Sequence, residues 1–159
     1  MQTACAIDSP VGPLTLAVDD AGRLTRLGWG ADAEPLSSSA APALRTVVAQ
    51  LADYFAGRRR AFDFEVALHG TPFQRSVWAG LRRIPYGETI SYAELARRIG
   101  NPAAVRAVGA ANGANPVAIV VPCHRVIASN GSLCGYGGGL DVKRKLLELE
   151  GALSGTLAA

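Results

Sequence analysis

Short apolar segments with tight turns between them occupy the start of the chain, and this pattern predicts a small antiparallel sheet. The predicted strands cover residues 3–7, 14–18 and 24–29. Pro10, Gly12 and Gly22 lie in the connecting segments and favour turn conformations. The three strands should therefore form a meander in chain order.

A helix is predicted to follow this sheet. Its apolar side chains share one face at helical spacing: Leu44, Val47, Val48, Leu51, Tyr54 and Phe55. The basic run at residues 58–60 suits the negative end of a helix dipole, and a further strand is predicted at residues 61–66. We place a domain boundary at His69 and Gly70, so that residues 1–70 form an N-terminal α/β domain.

The second half begins with a clear helix start signal. Thr71 is a good N-cap, Pro72 suits the first helical position, and Gln74 completes a capping box. Ser91 and Glu94 repeat this arrangement before a second helical segment. Helices joined by short connections are therefore expected to dominate this half.

A helix-turn-helix is indicated by two short helices joined through Gly100 and Asn101. The second of them, predicted at residues 102–112, is rich in Ala and Gly, and Arg106 is its only charged side chain. Such a helix can lie close against another molecule. The expected fold class is α+β, with the small sheet and helix followed by a mainly helical domain at residues 71–159.

A buried strand is predicted at residues 117–121, an apolar run that leads directly into Cys123 and His124. A nucleophilic cysteine must react as its thiolate, and burial alone raises the pKa of a thiol. Neighbouring residues on a strand point to opposite faces, so adjacency to His124 does not establish contact. These residues alone leave open whether Cys123 is an inert core residue or a nucleophile.

The remaining cysteines, Cys5 and Cys134, are expected to be small buried hydrophobic residues. An odd number of cysteines without a CxxC pair argues against a disulfide framework. His69 and His124 provide no zinc-ligand spacing. Neither a metal nor a cofactor is expected.

Basic residues are concentrated in the second half of the chain. Residues 1–71 carry six basic and eight acidic groups, whereas residues 72–159 carry ten basic and five acidic groups. An anionic partner should therefore bind the second half. The chain starts without the features of a signal peptide, and its longest uncharged stretch, residues 107–123, is interrupted by Gly, Asn and Pro. We expect a cytoplasmic protein without a membrane span.

The segment around Cys123 resembles the active-site segment of the O6-alkylguanine-DNA alkyltransferase family, whose hallmark is Pro-Cys-His-Arg-Val. That string stands here at residues 122–126. The resemblance extends over the C-terminal half, at residues 70–74, 84–89, 91–92, 100–102, 106–109, 115–127, 135–136 and 146–151. Residues 1–70 match only in general form. The resemblance implies a ribonuclease H-like N-terminal domain and a winged helix-turn-helix-like catalytic domain.

The same resemblance implies a DNA-repair activity in which Cys123 accepts an alkyl group from O6 of guanine. His124, acting through a water, is expected to keep Cys123 as a thiolate, while Glu150 orients His124 and Asn115 braces the site. Tyr92 is expected to donate a proton or hydrogen bond to the leaving guanine. Each molecule would react once and be inactivated. Alkylated thymine, modified at O4, is a second candidate substrate.

Double-stranded DNA is the partner that the resemblance implies, bound through its minor groove with the damaged nucleotide flipped out. Arg106 is expected to fill the vacated stack, and Tyr92 to lie beside the flipped nucleotide. Asn101 and Ser129 are expected to contact the DNA backbone. We expect a monomer, and the sequence leaves open whether molecules bind cooperatively along DNA.

Three residues are expected to line the base pocket by the same resemblance: Val126, Tyr136 and Gly137. Family members often carry a small hydroxyl residue at the position of Gly137. Without that side chain, only the backbone N–H of Gly137 remains to hydrogen-bond guanine O6. Altered substrate tolerance is therefore expected, not loss of activity.

Other functions fit parts of this pattern. A non-catalytic relative that binds alkylated DNA would carry a different residue in place of Cys123. A helix-turn-helix regulator would need polar side chains along residues 102–112 to read base edges. A cysteine hydrolase would turn over many times and would not need a basic surface.

Overall fold

The computed structural model describes residues 1–153 of the chain. The chain divides into two compact units, Met1–Leu68 and His69–Ala159. Within residues 1–153, no helix has the length and apolar character needed to cross a membrane.

The first unit contains a three-stranded antiparallel sheet in the order β1-β2-β3, as the turn pattern predicts. The strands are β1 (Ala4–Ile7), β2 (Leu14–Val18) and β3 (Leu24–Trp29). Helix α1 (Pro42–Phe55) begins with proline in its first turn and packs against β2. The sheet and helix bury a common apolar core: Cys5, Leu14, Leu16, Leu24, Leu27, Leu44, Val47, Leu51 and Tyr54.

The strand predicted at residues 61–66 does not form. This segment reaches the sheet through a single bridge, between Leu24 and Val66. Gln50 of α1 hydrogen-bonds both the carboxylate and the backbone N–H of Asp63. The ring of Phe62 also packs 5.5 Å from that of Tyr54. Contacts with the helix therefore replace the ladder that a strand would need.

The second unit is mainly helical. It contains α2 (Pro72–Leu81), α3 (Tyr92–Arg98), α4 (Val105–Gly113) and α5 (Leu140–Leu149). Two short strands, β4 (Ile90–Ser91) and β5 (Val126–Ile127), pair in parallel with Ile90 opposite Val126. The fold class expected from the sequence, a small antiparallel sheet with a helix followed by a mainly helical unit, is confirmed.

Of the two predicted capping boxes, the one at Thr71 forms completely and the one at Ser91 forms only one of its two hydrogen bonds. Both hydrogen bonds of the predicted capping box form between Thr71 and Gln74. Ser91 accepts a hydrogen bond from the backbone N–H of Glu94, at 3.0 Å. The Glu94 carboxylate instead pairs with Arg97 and Arg98, so the reciprocal bond of the second box is missing.

Helix α4 begins three residues later than predicted, at Val105 and not at Pro102. The N–H of Asn101 bonds the carbonyl of Ala96, at 2.9 Å, so this residue still belongs to the end of α3. The chain then makes a turn, closed by a 3.0 Å bond from the N–H of Ala104 to the carbonyl of Asn101. The first residues of the predicted helix, 102–104, therefore belong to this turn.

Helix α2 holds the second unit together through two close approaches. The indole N–H of Trp78 donates to the carbonyl of Ala111 in α4, at 2.9 Å. A Cβ at Gly80 would lie 3.0 Å from side-chain atoms of both Ile99 and Leu95, so glycine allows α2 and α3 to pack closely. The helices that surround Cys123 are thereby packed into one core.

Candidate functional site

Cys123 begins a short 3-10 helix, Cys123–Arg125, that follows a buried turn. The predicted strand at residues 117–121 is wrong, because this segment folds back on itself and Ile119 adopts a positive φ of 72°. Asn115 stabilises the turn: its amide donates to the carbonyl of Val121 at 2.7 Å, and its Oδ1 accepts from the N–H of Val117 at 3.0 Å. Because the Asn115 side chain hydrogen-bonds the backbone at both ends of residues 117–121, those backbone groups do not pair with a neighbouring strand.

Asn115 also lowers the pKa of the Cys123 thiol. The bracing role expected for Asn115 remains a prediction, and the contacts that the structure shows are those that shape the turn. Cys123 itself is 6% exposed.

His124 is fully buried, and its Nε2 lies 2.8 Å from Oε2 of Glu150. Glu150 is the residue at which α5 ends, and its side chain is also fully buried. Nδ1 of His124 has no hydrogen-bond partner among residues 1–153. This arrangement fits a neutral imidazole that donates from Nε2 and can accept a proton at Nδ1.

Arg125 completes a buried ionic cluster with Glu150. Its Nε donates to Oε1 of Glu150 at 2.8 Å, and its Nη2 donates to Oε2 at 3.1 Å. Burial raises the pKa of Glu150, but the hydrogen bonds and charges of His124 and Arg125 outweigh it, and the pKa falls to about 2. The carboxylate is therefore ionised throughout the physiological range.

Tyr92 starts α3, directly after strand β4. Because β4 pairs in parallel with β5, which follows the Cys123–Arg125 turn, Tyr92 comes close to the thiol. Its hydroxyl lies near the side chains of Cys134 and Asn112. Burial, the interaction with Cys134 and the charge that Cys123 would carry raise the pKa of Tyr92, so it keeps its proton at neutral pH.

Lys143 is a fully buried ammonium group on α5. Its Nζ donates to the carbonyl of Cys134 at 2.9 Å and lies 5.9 Å from the centre of the Tyr136 ring. Tyr136 in turn lies close enough to Cys123 to lower the pKa of its thiol. Burial lowers the pKa of Lys143, while the nearby Cys134 and Cys123 oppose that shift.

The resting form of Cys123 differs from the expectation of a thiolate. Burial raises the pKa of this thiol, and the interactions with Asn115 and Tyr136 and the charge of Lys143 only partly oppose the shift. The group is therefore a protonated thiol before substrate arrives. Burial also lowers the pKa of His124, with the charges of Arg125 and Lys143 acting in the same direction and Glu150 opposing them.

The structure gathers part of the predicted site around Cys123. His124 and Val126 follow it in the chain, and the contacts above bring in Tyr92, Asn115 and Tyr136, with Glu150 joined through His124. The other predicted residues lie on the surface, without a described contact to the thiol within residues 1–153: Asn101, Arg106, Ser129 and Gly137.

Sequence reasoning missed Arg125, Lys143, Asn112 and Cys134. The spacing did contain a signal for Lys143, because it shares the apolar face of α5 with Leu146, Leu147 and Glu150. A basic residue on the apolar face of a helix is either buried with the rest of that face or turns the face away from the core. Cys134 was expected to be an inert buried residue, but it is only half-buried and lies near Tyr92.

No cluster of His, Cys, Asp and Glu side chains that could hold a metal ion occurs in the described part of the chain. Instead, a buried cysteine is followed by a histidine held by a buried acid. That combination is characteristic of proteins that use a thiol as a nucleophile.

Comparison with known sequences identifies the family. The model of the 6-O-methylguanine DNA methyltransferase DNA binding domain matches residues 72–152, and that of its ribonuclease-like domain matches residues 5–68. The chain belongs to the 6-O-methylguanine DNA methyltransferase family.

Individual relatives agree with this assignment. A methylated-DNA--protein-cysteine methyltransferase of Mycobacterium tuberculosis is 55% identical over 155 residues, covering 91% of this chain and 89% of the relative. One from Methanosarcina acetivorans is 49% identical over 149 residues, covering 91% and 96%. The crystal structure of Mycobacterium tuberculosis OGT in complex with DNA superimposes with a TM-score of 0.81 at 51% identity, covering 94% of this chain and 92% of the other.

Proposed function

We propose that this protein repairs DNA by moving the alkyl group of O6-alkylguanine onto Sγ of Cys123, once per molecule. O4-alkylthymine is a second candidate substrate for the same chemistry. The observation that carries the proposal is the Cys123 turn, in which a buried thiol is followed by a histidine whose Nε2 lies 2.8 Å from the buried carboxylate of Glu150. Family membership points to the same reaction.

In the transfer step, a bond forms between Sγ and the alkyl carbon while the bond from that carbon to guanine O6 breaks. The thiol proton passes through a water to Nδ1 of His124, and the hydroxyl of Tyr92 gives its proton to the leaving guanine. The proton held on His124 then returns through solvent to the Tyr92 oxygen. Overall, the hydrogen of the thiol ends on guanine. The thioether product has no route back to the thiol, so the protein is consumed.

A buried resting thiol is consistent with this step. A free cysteine is already a few per cent thiolate at pH 7, so complete ionisation would gain only about 2 kcal/mol. Placing the sulfur in line with the alkyl carbon and protonating the leaving base must supply more than that. A thiol that stays protonated until the base enters is also protected from other electrophiles.

DNA is proposed to bind through its minor groove, on the face of the second unit that carries α4. The exposed side of α4 is lined by alanines, including Ala107, Ala110 and Ala114, which form a shallow groove with Thr71 and Phe73. Arg106 is exposed near the start of α4, a position from which it can enter the base stack. Asn101 and Ser129, also exposed, are proposed phosphate contacts.

We propose that Val126, Tyr136 and Gly137 line the base pocket; Val126 is buried and Tyr136 acts on the thiol, whereas Gly137 is exposed. We propose a monomer that acts in the cytoplasm. The presence of Cys123 favours a reacting protein over a non-catalytic relative, and the few polar side chains on α4 argue against a sequence-specific regulator.

Mass spectrometry tests the proposal directly. After incubation with a duplex that contains O6-methylguanine, the peptide with Cys123 should gain one methyl group per molecule. The change Cys123→Ser should abolish the gain, while the matched change Cys5→Ser, in the core of the first unit, should leave it intact. A methyl group on Cys5 or Cys134, or more product than protein, would refute the proposal.

A further inference from the structure

Arg125 has no part in the proposed transfer, yet its buried side chain makes three hydrogen bonds. Besides its two bonds to Glu150, its Nη1 donates to the carbonyl of Ile84 at 2.7 Å. Its guanidinium also lies 5.8 Å from the centre of the Tyr86 ring. Arg125 therefore joins the Cys123–Arg125 turn, the end of α5 and the segment that follows α2.

We propose that Arg125 is a positioning residue: it shares the Glu150 carboxylate with His124, and thereby fixes the orientation of the imidazole and keeps its ring uncharged. The inference rests on the proposed alkyl transfer, in which His124 must accept a proton.

Both oxygens of Glu150 are occupied, Oε1 by Nε of Arg125 and Oε2 by both Nη2 of Arg125 and Nε2 of His124. A two-point contact with a planar guanidinium prevents the carboxylate from rotating. With the carboxylate fixed, the His124 ring has one orientation in which Nε2 donates, and that orientation directs Nδ1 away from Glu150.

The segment after α2 supports this geometry from the other side. The hydroxyl of Tyr86 donates to the carbonyl of Leu149, immediately before Glu150, at 3.3 Å. Gly87 has a positive φ, and a Cβ there would lie 3.2 Å from the carbonyl of Glu150. Arg125 and Glu150 thus each contact this same segment, which makes the cluster rigid.

A buried carboxylate that faced His124 alone would favour the imidazolium form, which cannot accept a proton. The positive charge of Arg125 compensates that carboxylate. The charged groups that act on His124 are Glu150 and Lys143 from α5 and Arg125 from its own turn, and only Glu150 favours the imidazolium. Arg125 therefore opposes the one group that would inactivate the base.

The test is the pH dependence of Cys123 alkylation by free O6-methylguanine, which avoids DNA binding. In Arg125→Met, Glu150 is no longer compensated and the pKa of His124 should rise. The acid limb of the rate profile should then move to higher pH by about one unit, which is a tenfold lower rate at a fixed pH on that limb. An NMR titration of the His124 ring should show the same shift.

Two variants keep the test decisive. Arg125→Lys retains the charge without the two-point contact and should shift the limb in the same direction by less. It decides the question alone if Arg125→Met fails to fold. Arg83→Met makes the matched change at an exposed arginine of the second unit and should leave the profile unchanged.

The outcomes separate this inference from the proposed function. If the natural protein acquires no alkyl group on Cys123, the proposed function fails. If it reacts normally and both Arg125 variants lose only thermal stability, with the acid limb and the His124 titration unchanged, Arg125 is merely structural and the present inference is wrong.

Discussion

The two units bury polar groups of different kinds. In Met1–Leu68 the buried polar side chains, Thr15 and Gln50, are uncharged. In the described part of His69–Ala159 they include several ionisable groups: His124, Arg125, Lys143 and Glu150. The first unit thus follows the ordinary rules of a small core, whereas the second departs from them at one place.

The buried ionisable groups of the second unit mark the part of the protein in which stability alone does not explain the choice of residues. Thr15 is satisfied locally, donating to the carbonyl of Gly30 at 2.7 Å and accepting from the N–H of Asp32 at 2.8 Å. Buried charges are expensive, and apolar residues of similar size often stabilise a protein as well or better. Their concentration around Cys123 therefore indicates a role beyond stability, which mutations in the two units can test.

Acid should produce the largest effect on stability. The pKa of Glu150 is about 2 in the folded protein, against about 4.3 in an unfolded chain. A folded-state pKa below the unfolded value stabilises the protein above pH 4.3, and this contribution is lost as the pH falls toward 2. The loss should reach about 3 kcal/mol.

Urea unfolding at a series of pH values measures this loss. In Glu150→Gln the slope of stability against pH should become smaller over the same range. An unchanged slope would show that ionisation of Glu150 does not cause the loss of stability in acid.

Arg106 tests the DNA surface of the second unit. Arg106→Ala should slow repair of a methylated duplex by about thirtyfold, roughly 2 kcal/mol, because flipping a base costs a few kcal/mol and the side chain would fill the gap. The reaction with free O6-methylguanine should stay nearly normal. Single-turnover rates on both substrates measure the difference, and equal losses would rule out the intercalating role.

Lys143 separates function from stability most clearly. Lys143→Met removes a positive charge that lowers the pKa of Cys123, so alkylation at neutral pH should slow by about tenfold, or 1.4 kcal/mol. Thermal stability should be unchanged or higher, since a buried ammonium group is replaced by an apolar chain of similar length.

Gln50→Met is the matched change in the first unit. It should lower stability by breaking the contacts with Asp63, and leave the alkylation rate of the folded protein intact. If Lys143→Met lost stability while keeping its rate, the contrast between the two units would be wrong.

The smallest effect should come from the helix cap at the start of α2. Thr71→Ala removes the side-chain bond to the N–H of Gln74, which is 3.1 Å long, and should cost about 1 kcal/mol of unfolding free energy. Urea unfolding measures the loss, and alkylation by free O6-methylguanine should remain within the error of the natural protein. Thr71→Ser should retain most of the stability.

Local patterns in the sequence determined most of the secondary structure. The β1–β3 meander, α1 and the capping box at Thr71 follow from contacts between residues close in the chain. The same reasoning failed at residues 117–121 and at residues 61–66. In the first case the side chain of Asn115 competes for the backbone, and in the second Gln50 holds the segment to a helix.

Cys123 and His124 could be proposed as nucleophile and base because the string at residues 122–126 resembles a family motif, and not because the two residues are adjacent in the chain. Their electrostatic environment could not. Lys143 and Glu150 lie on α5, and Tyr92 on α3, and only packing brings these groups to the thiol. The pKa of Cys123 depends on burial and on charges contributed by distant segments, so tertiary structure alone decided that the resting group is a thiol with a neutral base beside it in the chain.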